Sequence, residues 1–111
     1  MTIERGTTQD VTITIRGWDL TGSDIYVTFK QGARALTKKN MESVTYADRK
    51  TTITLMLSQE DTMFFPDNSA GKIQVRWIDV SGDAHKTETA DFNTDVLLYD
   101  AVIEKEDDGD G

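Results

Sequence analysis

Residues that could carry out nucleophilic or metal chemistry are scarce in this 111-residue chain. It has one histidine, His85, and no cysteine. A catalytic hydroxyl needs a base that a third group orients, whereas His85, beside Lys86 and just after a turn, has the pattern of a solvated histidine at the start of a strand. A transition-metal site needs three or four nitrogen, sulfur or carboxylate ligands. We therefore expect no enzymatic activity, no catalytic residue, no bound metal and no cofactor.

The carboxylates have structural explanations. The run from Asp107 to Asp110 resembles the start of a calcium loop, but the downstream bidentate glutamate that such a loop needs is absent from the sequence. Glu60 and Asp61 follow Ser58 at the spacing of a helix N-terminus, where negative charge is favourable. These patterns predict a solvated tail and a capped helix.

Aromatic side chains are the remaining candidates for a binding role. Trp77 alternates with Val75 in a strand pattern and is predicted to lie in the core. Trp18 follows Gly17 at a strand end, where it either lines the edge of the core or is exposed as a sugar platform or protein contact. Tyr99, near the C-terminus, is similarly open to both interpretations. Trp18 and Tyr99 are therefore the candidate surface-contact residues.

The charge balance and hydropathy argue against two classes of partner. Twelve basic residues against 20 acidic ones give a net charge of −8, which repels phosphate backbones and anionic lipid. No stretch approaches the roughly 18 to 20 consecutive apolar residues of a spanning helix. The first residues lack a basic segment followed by an apolar one. We expect no nucleic-acid partner, no membrane insertion and no signal peptide.

The elements that would position these residues are mostly strands. Apolar residues alternate with polar ones in several short runs separated by turn residues, and three successive hairpins are predicted. About seven short strands at this spacing are typical of an immunoglobulin-like antiparallel β-sandwich, an all-β fold. The clearest inward-facing sets are Val11, Ile13 and Ile15; Ile25, Val27 and Phe29; Ile53, Leu55 and Leu57; and Ile73, Val75 and Trp77.

One short helix and a C-terminal tail complete the predicted organisation. The helix begins after Ser58 and ends before Pro66, with its Met63 to Phe65 cluster plugging one end of the sandwich. Residues 96–103 form either a last edge strand or a short amphipathic segment. The sandwich domain thus covers residues 1–103, and the charged residues 104–111 are expected to be a disordered tail.

Several segments together point to a family. They are the opening Arg5–Asp10 followed by alternating Thr and Ile, the Asp19–Gly22 turn leading into Ile25–Lys30, and Leu57–Thr62. They resemble the N-terminal domain of phage baseplate upper proteins from tailed phages and prophages of Gram-positive bacteria. The resemblance covers roughly residues 1 to 103 and carries no catalytic motif.

The resemblance implies an immunoglobulin-like sandwich that serves as a virion building block. It would be assembled in the bacterial cytoplasm and would contact other phage tail or baseplate proteins. Self-association through sheet edges into a homo-oligomer is also expected. The alternative is a carbohydrate-binding or adhesion module, since sandwiches often display aromatic side chains on a face or at loop ends.

Overall fold

The computed structural model describes residues 1–105, which form nine strands and one short helix. The helix, α1, spans Gln59–Met63. The strands are β1 (Thr2–Ile3), β2 (Gln9–Arg16), β3 (Asp24–Gln31), β4 (Arg34–Lys38), β5 (Ser43–Ala47), β6 (Lys50–Leu57), β7 (Ala70–Ile78), β8 (Ala84–Lys86) and β9 (Ala90–Thr94).

The strands form two sheets. The smaller sheet has the order β2-β6-β5, and the larger has the order β1-β9-β7-β3-β4. β8 and β9 both pair with β7 and are two parts of one interrupted strand. All pairs are antiparallel except β1 with β9. This division, with β3, β7 and β9 opposite β2, β6 and β5, is the strand order of an immunoglobulin-like sandwich. The predicted fold is confirmed.

The three predicted hairpins are present as β3–β4, β5–β6 and β7–β8. The β5–β6 turn contains Asp48 and Arg49, both with positive φ, at 54° and 62°. Two consecutive left-handed residues are the backbone of a two-residue turn whose twist matches that of the flanking strands. The carbonyl of Arg49 also accepts a hydrogen bond from the Gly17 N–H at 2.8 Å, which ties this turn to the end of β2.

The core lies between the two sheets and follows the predicted alternation. Ile13 is the exception, because it is only half-buried where its predicted partners in β2 are buried. The buried apolar side chains are Ile3, Val11, Ile15, Leu20, Ile25, Val27, Phe29, Ile53, Leu55, Leu57, Phe65, Ile73, Val75, Trp77 and Phe92.

The helix α1 begins at the predicted cap. The Ser58 side chain accepts a hydrogen bond from the Asp61 N–H, and the Asp61 carboxylate accepts one from the Ser58 N–H. Burial raises the pKa of Asp61, but the Lys38 ammonium at 2.8 Å and the Ser58 N–H outweigh it, so the pKa lies below its usual value. Of the predicted plug from Met63 to Phe65, only Phe65, just beyond the helix, is fully buried; Met63 is half-buried and Phe64 is exposed.

The end of the described chain has no regular structure. Residues 96–103 are neither the edge strand nor the amphipathic helix that the sequence allowed, and we refer to them as the C-terminal segment. Most of the predicted acidic tail, residues 106–111, lies outside the described residues. Among residues 1–105, no helix combines the length and apolar character needed to cross a bilayer.

Candidate interaction surfaces

A buried arginine organises one end of the sandwich. The Arg5 side chain is almost fully buried, and its Nε donates to the Phe65 carbonyl at 2.7 Å and its Nη2 to the Met63 carbonyl at 3.2 Å. The guanidinium also pairs with Asp67 and, at 3.1 Å, with Asp100. Burial lowers the pKa of Arg5, but the two carboxylates raise it more, so the guanidinium stays charged. Arg5 therefore holds the C-terminal segment against the chain beyond α1.

Further contacts hold the C-terminal segment along its length. The Leu97 N–H donates to Asp67 Oδ1 at 3.2 Å, and Ile103 exchanges two hydrogen bonds with the Gln59 side chain at 2.8 and 3.0 Å. The Leu97 side chain lies against Gly6, where an added Cβ would come within 2.7 Å of Leu97 Cδ2. The backbone of this segment is thus ordered by contacts at several points.

Several large apolar side chains of the C-terminal segment are exposed to solvent. Leu98 is 96% exposed and Tyr99 is 71% exposed, and Val96, Val102 and Ile103 are also exposed. An ordered backbone that displays several apolar side chains on one stretch is typical of a protein contact surface, because little further ordering is needed on binding. The structure places Tyr99, one of the two predicted contact residues, on this surface.

Trp18, the other predicted contact residue, belongs to an aromatic cluster with Trp77 and His85. Its ring centroid lies 5.5 Å from that of Trp77, nearly perpendicular to it, and 4.6 Å from that of His85. The indole is nevertheless 45% exposed. The indole thus packs against the core residue Trp77 and is also partly exposed to solvent, and a contact role for Trp18 stays a prediction.

His85 does not occupy the solvated position that the sequence indicated. It is half-buried against the two indoles, and its Nε2 lies 2.8 Å from Asp79 Oδ2. The other oxygen of Asp79 accepts backbone N–H groups from Ser81 and Asp83. The His85 hydrogen bond, followed by these backbone bonds, holds the pKa of Asp79 below its usual value. The hydrogen bond between Asp79 and His85 therefore holds the β7–β8 turn next to the indoles of Trp18 and Trp77.

The two predicted contact residues lie at opposite ends of the sandwich. The Trp18 carbonyl accepts a hydrogen bond from Thr51, near the start of β6. Tyr99 is next to Asp100, whose carboxylate pairs with Arg5. Arg5 also donates a hydrogen bond to the Met63 carbonyl, which follows the end of β6 in the chain. The seven residues from Thr51 to Leu57 span roughly 20 Å of extended strand. Trp18 and Tyr99 therefore belong to two separate surfaces.

A cleft of about 580 Å³ opens along the side of the sandwich, between β2 and the β8–β9 strand. Trp18 stands at its rim, Arg16 and Lys86 contribute basic groups, and Trp77 contributes an indole whose buried Nε1 has no hydrogen-bond partner within residues 1–105. Its apolar lining includes Ile13, Ile15, Ile73, Val75 and Trp77. The cleft explains why Ile13 is less buried than its neighbours in β2.

The part of the chain described here holds no group of three or more histidine, cysteine or carboxylate side chains placed to bind a metal ion. The expectations of no metal, no cofactor and no enzymatic activity stay predictions.

Comparison with known proteins assigns no family to this chain. No family model matches the sequence, and no curated protein matches it. Among solved structures, the chain is similar to the M1 domain from titin, with 16% sequence identity over 84% of this chain and 81% of that chain and a TM-score of 0.32. The strand order of its two sheets identifies the chain as an immunoglobulin-like β-sandwich.

Proposed function

We propose that this protein is a non-enzymatic structural component of a phage or prophage virion, part of the tail or baseplate, that acts by protein–protein assembly. The observation that carries the proposal is the C-terminal segment, with its ordered backbone and exposed apolar side chains. The assignment to a virion rests on the resemblance of the strand and turn segments to baseplate upper proteins. The partner is a neighbouring tail protein with an apolar groove that accepts Leu98 and Tyr99.

The test compares Leu98→Glu with a matched control, Val80→Glu. Both side chains are apolar and largely exposed, at 96% and 81%, but Val80 lies in the β7–β8 turn at the other end of the sandwich. Burial of a leucine at an interface contributes about 1.5–3 kcal/mol, or roughly a tenfold to hundredfold change in affinity. Particles from a phage or prophage that carries each variant are purified, and the chain is quantified by mass spectrometry.

Leu98→Glu is expected to be depleted from the particles, while the native chain and Val80→Glu are incorporated equally. The proposal is wrong if the native chain is absent from purified particles. Equal incorporation of both variants would instead exclude the C-terminal segment as the docking surface.

A carbohydrate-binding or adhesion module is the second candidate, favoured by the half-exposed Trp18 at the rim of an open cleft. Indole faces stack on sugar rings in many binding sites. A glycan array probed with the native chain, Trp18→Ala and the control Tyr46→Ala distinguishes this candidate, because Tyr46 is exposed to a similar extent on β5. Signal lost only in Trp18→Ala would support it, and a silent array would exclude it.

A further inference from the structure

The outer edge of β2 has no neighbouring strand within residues 1–105. This edge is eight residues long and pairs with β6 on its other side in continuous register, without a bulge. It contains no proline and no lysine, the residues that commonly protect edges from pairing with another chain. The other sheet edges, β1, β4, β5 and β8, are two, five, five and three residues long. β2 is therefore the edge best suited to pairing.

The sequence of β2 is complementary to itself when read antiparallel. With Ile13 opposite the same residue of a second copy, the three positions on each side of it meet suitable partners, and Gln9 falls opposite Gly17, just beyond β2. The pairs are Asp10 with Arg16, Val11 with Ile15, and Thr12 with Thr14. Opposite charges, β-branched pairs and threonine pairs across neighbouring strands all stabilise a sheet.

In the isolated chain, each end of β2 places charges of the same sign next to each other, and antiparallel pairing would bring a charge of the opposite sign to each end. At one end, Asp10 lies beside Glu42, and the hydrogen bond and negative charge of Asp10 raise the pKa of Glu42. At the other end, Arg16 lies opposite Lys50 in the register with β6 and forms no ion pair within the described chain. An antiparallel second copy brings the acidic end of one strand against the basic end of the other.

We propose that β2 pairs antiparallel with β2 of a second copy, about a two-fold axis through Ile13, joining two three-stranded sheets into one of six strands. The half-buried Ile13 of each copy then packs against its counterpart at the mouth of the cleft. This pairing goes beyond the proposed function and uses a different surface from the C-terminal segment, so either can fail alone.

The test is a charge-reversal experiment with Asp10→Lys and Arg16→Glu. Both side chains are exposed. Asp10→Lys places a positive charge near Glu42, and Arg16→Glu places a negative charge opposite Lys50, so each substitution is compatible with the neighbouring charge in its own chain. Folding is therefore retained. In a homodimer, each single variant replaces two attractive contacts with two repulsive ones. A mixture of the two variants restores both attractive contacts, and so does the double variant.

Solution mass is measured by sedimentation equilibrium at low salt over a wide concentration range. We expect a concentration-dependent dimer for the native chain, dimerisation at least about tenfold weaker for each single variant, and association restored in the mixture and in the double variant. Leu98→Glu should dimerise like the native chain, which separates this result from the proposed function. A native chain that stays monomeric throughout, or single variants that dimerise like the native chain, would overturn the proposal.

The predicted two-fold axis is tested by cross-linking, which the absence of native cysteine makes unambiguous. Two directly opposed residues of paired strands are close enough for a disulfide. Ile13→Cys should form a covalent dimer under mild oxidation. Val44→Cys, likewise half-buried but on the other edge strand of the same sheet, should not. Equal yields from the two variants would contradict the pairing.

Discussion

Replacing Arg5 with alanine should destabilise the sandwich by about 3–4 kcal/mol. The largest contribution comes from two hydrogen bonds donated by the buried guanidinium to the carbonyls of Phe65 and Met63. Hydrogen bonds from a charged donor contribute about 1.5–3 kcal/mol each, and two at the lower value give about 3 kcal/mol. The ion pairs with Asp67 and Asp100 add at most about 1 kcal/mol together, because those carboxylates are 40% and 55% exposed.

The free energy of unfolding is measured by urea denaturation, with tryptophan fluorescence as the probe, since Trp77 is buried in the folded chain and Trp18 is partly buried. Asp100→Asn is the matched control and should cost less than about 1 kcal/mol, because it removes one exposed ion pair and leaves the backbone contacts of Arg5 in place. Arg5→Ala should also accelerate proteolytic cleavage within the C-terminal segment, which loses its main anchor. The reasoning is refuted if Arg5→Ala costs no more than Asp100→Asn.

Three further predictions concern the turns, the packing and the helix. Because the pKa of Asp79 is lowered in the folded state, the contribution of Asp79 to stability is present above about pH 4 and is lost as the pH falls through the folded pKa. Asp79→Asn, which keeps the geometry near His85, should therefore lose less unfolding free energy than the native chain when urea unfolding is measured between about pH 6 and pH 2. Gly71→Ala should lower the unfolding free energy by roughly 1–3 kcal/mol, because the new Cβ would lie 2.5 Å from the Phe92 ring; a melting temperature equal to that of the native chain would contradict this. Ser58→Ala should cost about 1 kcal/mol by removing the cap of α1, and a urea midpoint unchanged from the native value would show that the cap is not stabilising.

The sequence predicted the parts of the fold that depend on local patterns. Alternation in β3, β6 and β7 identifies their buried faces, and the polar turns between runs identify the hairpins, because these signals lie within a few residues of one another. β1 is too short, at two residues, to show any period. The resemblance to baseplate upper proteins stays a prediction.

The candidate surfaces were less accessible to sequence analysis, because distant residues build them. The C-terminal segment is held by Arg5 and Gln59, which precede their partners in the chain by 95 and 44 residues. His85 packs against Trp18, which is distant from it in the sequence. The complementarity of β2 is visible in its residues, but its position at a sheet edge follows only from the strand order.

The break between β8 and β9 limits how far this molecule can polymerise. At the break, Thr87 donates its N–H to the Val75 carbonyl while its hydroxyl accepts the Val75 N–H, so a side chain takes the place of a ladder carbonyl. β8 therefore offers a second chain only three residues, and β1 already pairs with the last two of the five residues of β9. Once the β2 strands have paired, no comparably long strand edge remains within residues 1–105 to template another copy. Growth should stop at a closed pair instead of continuing into a fibril.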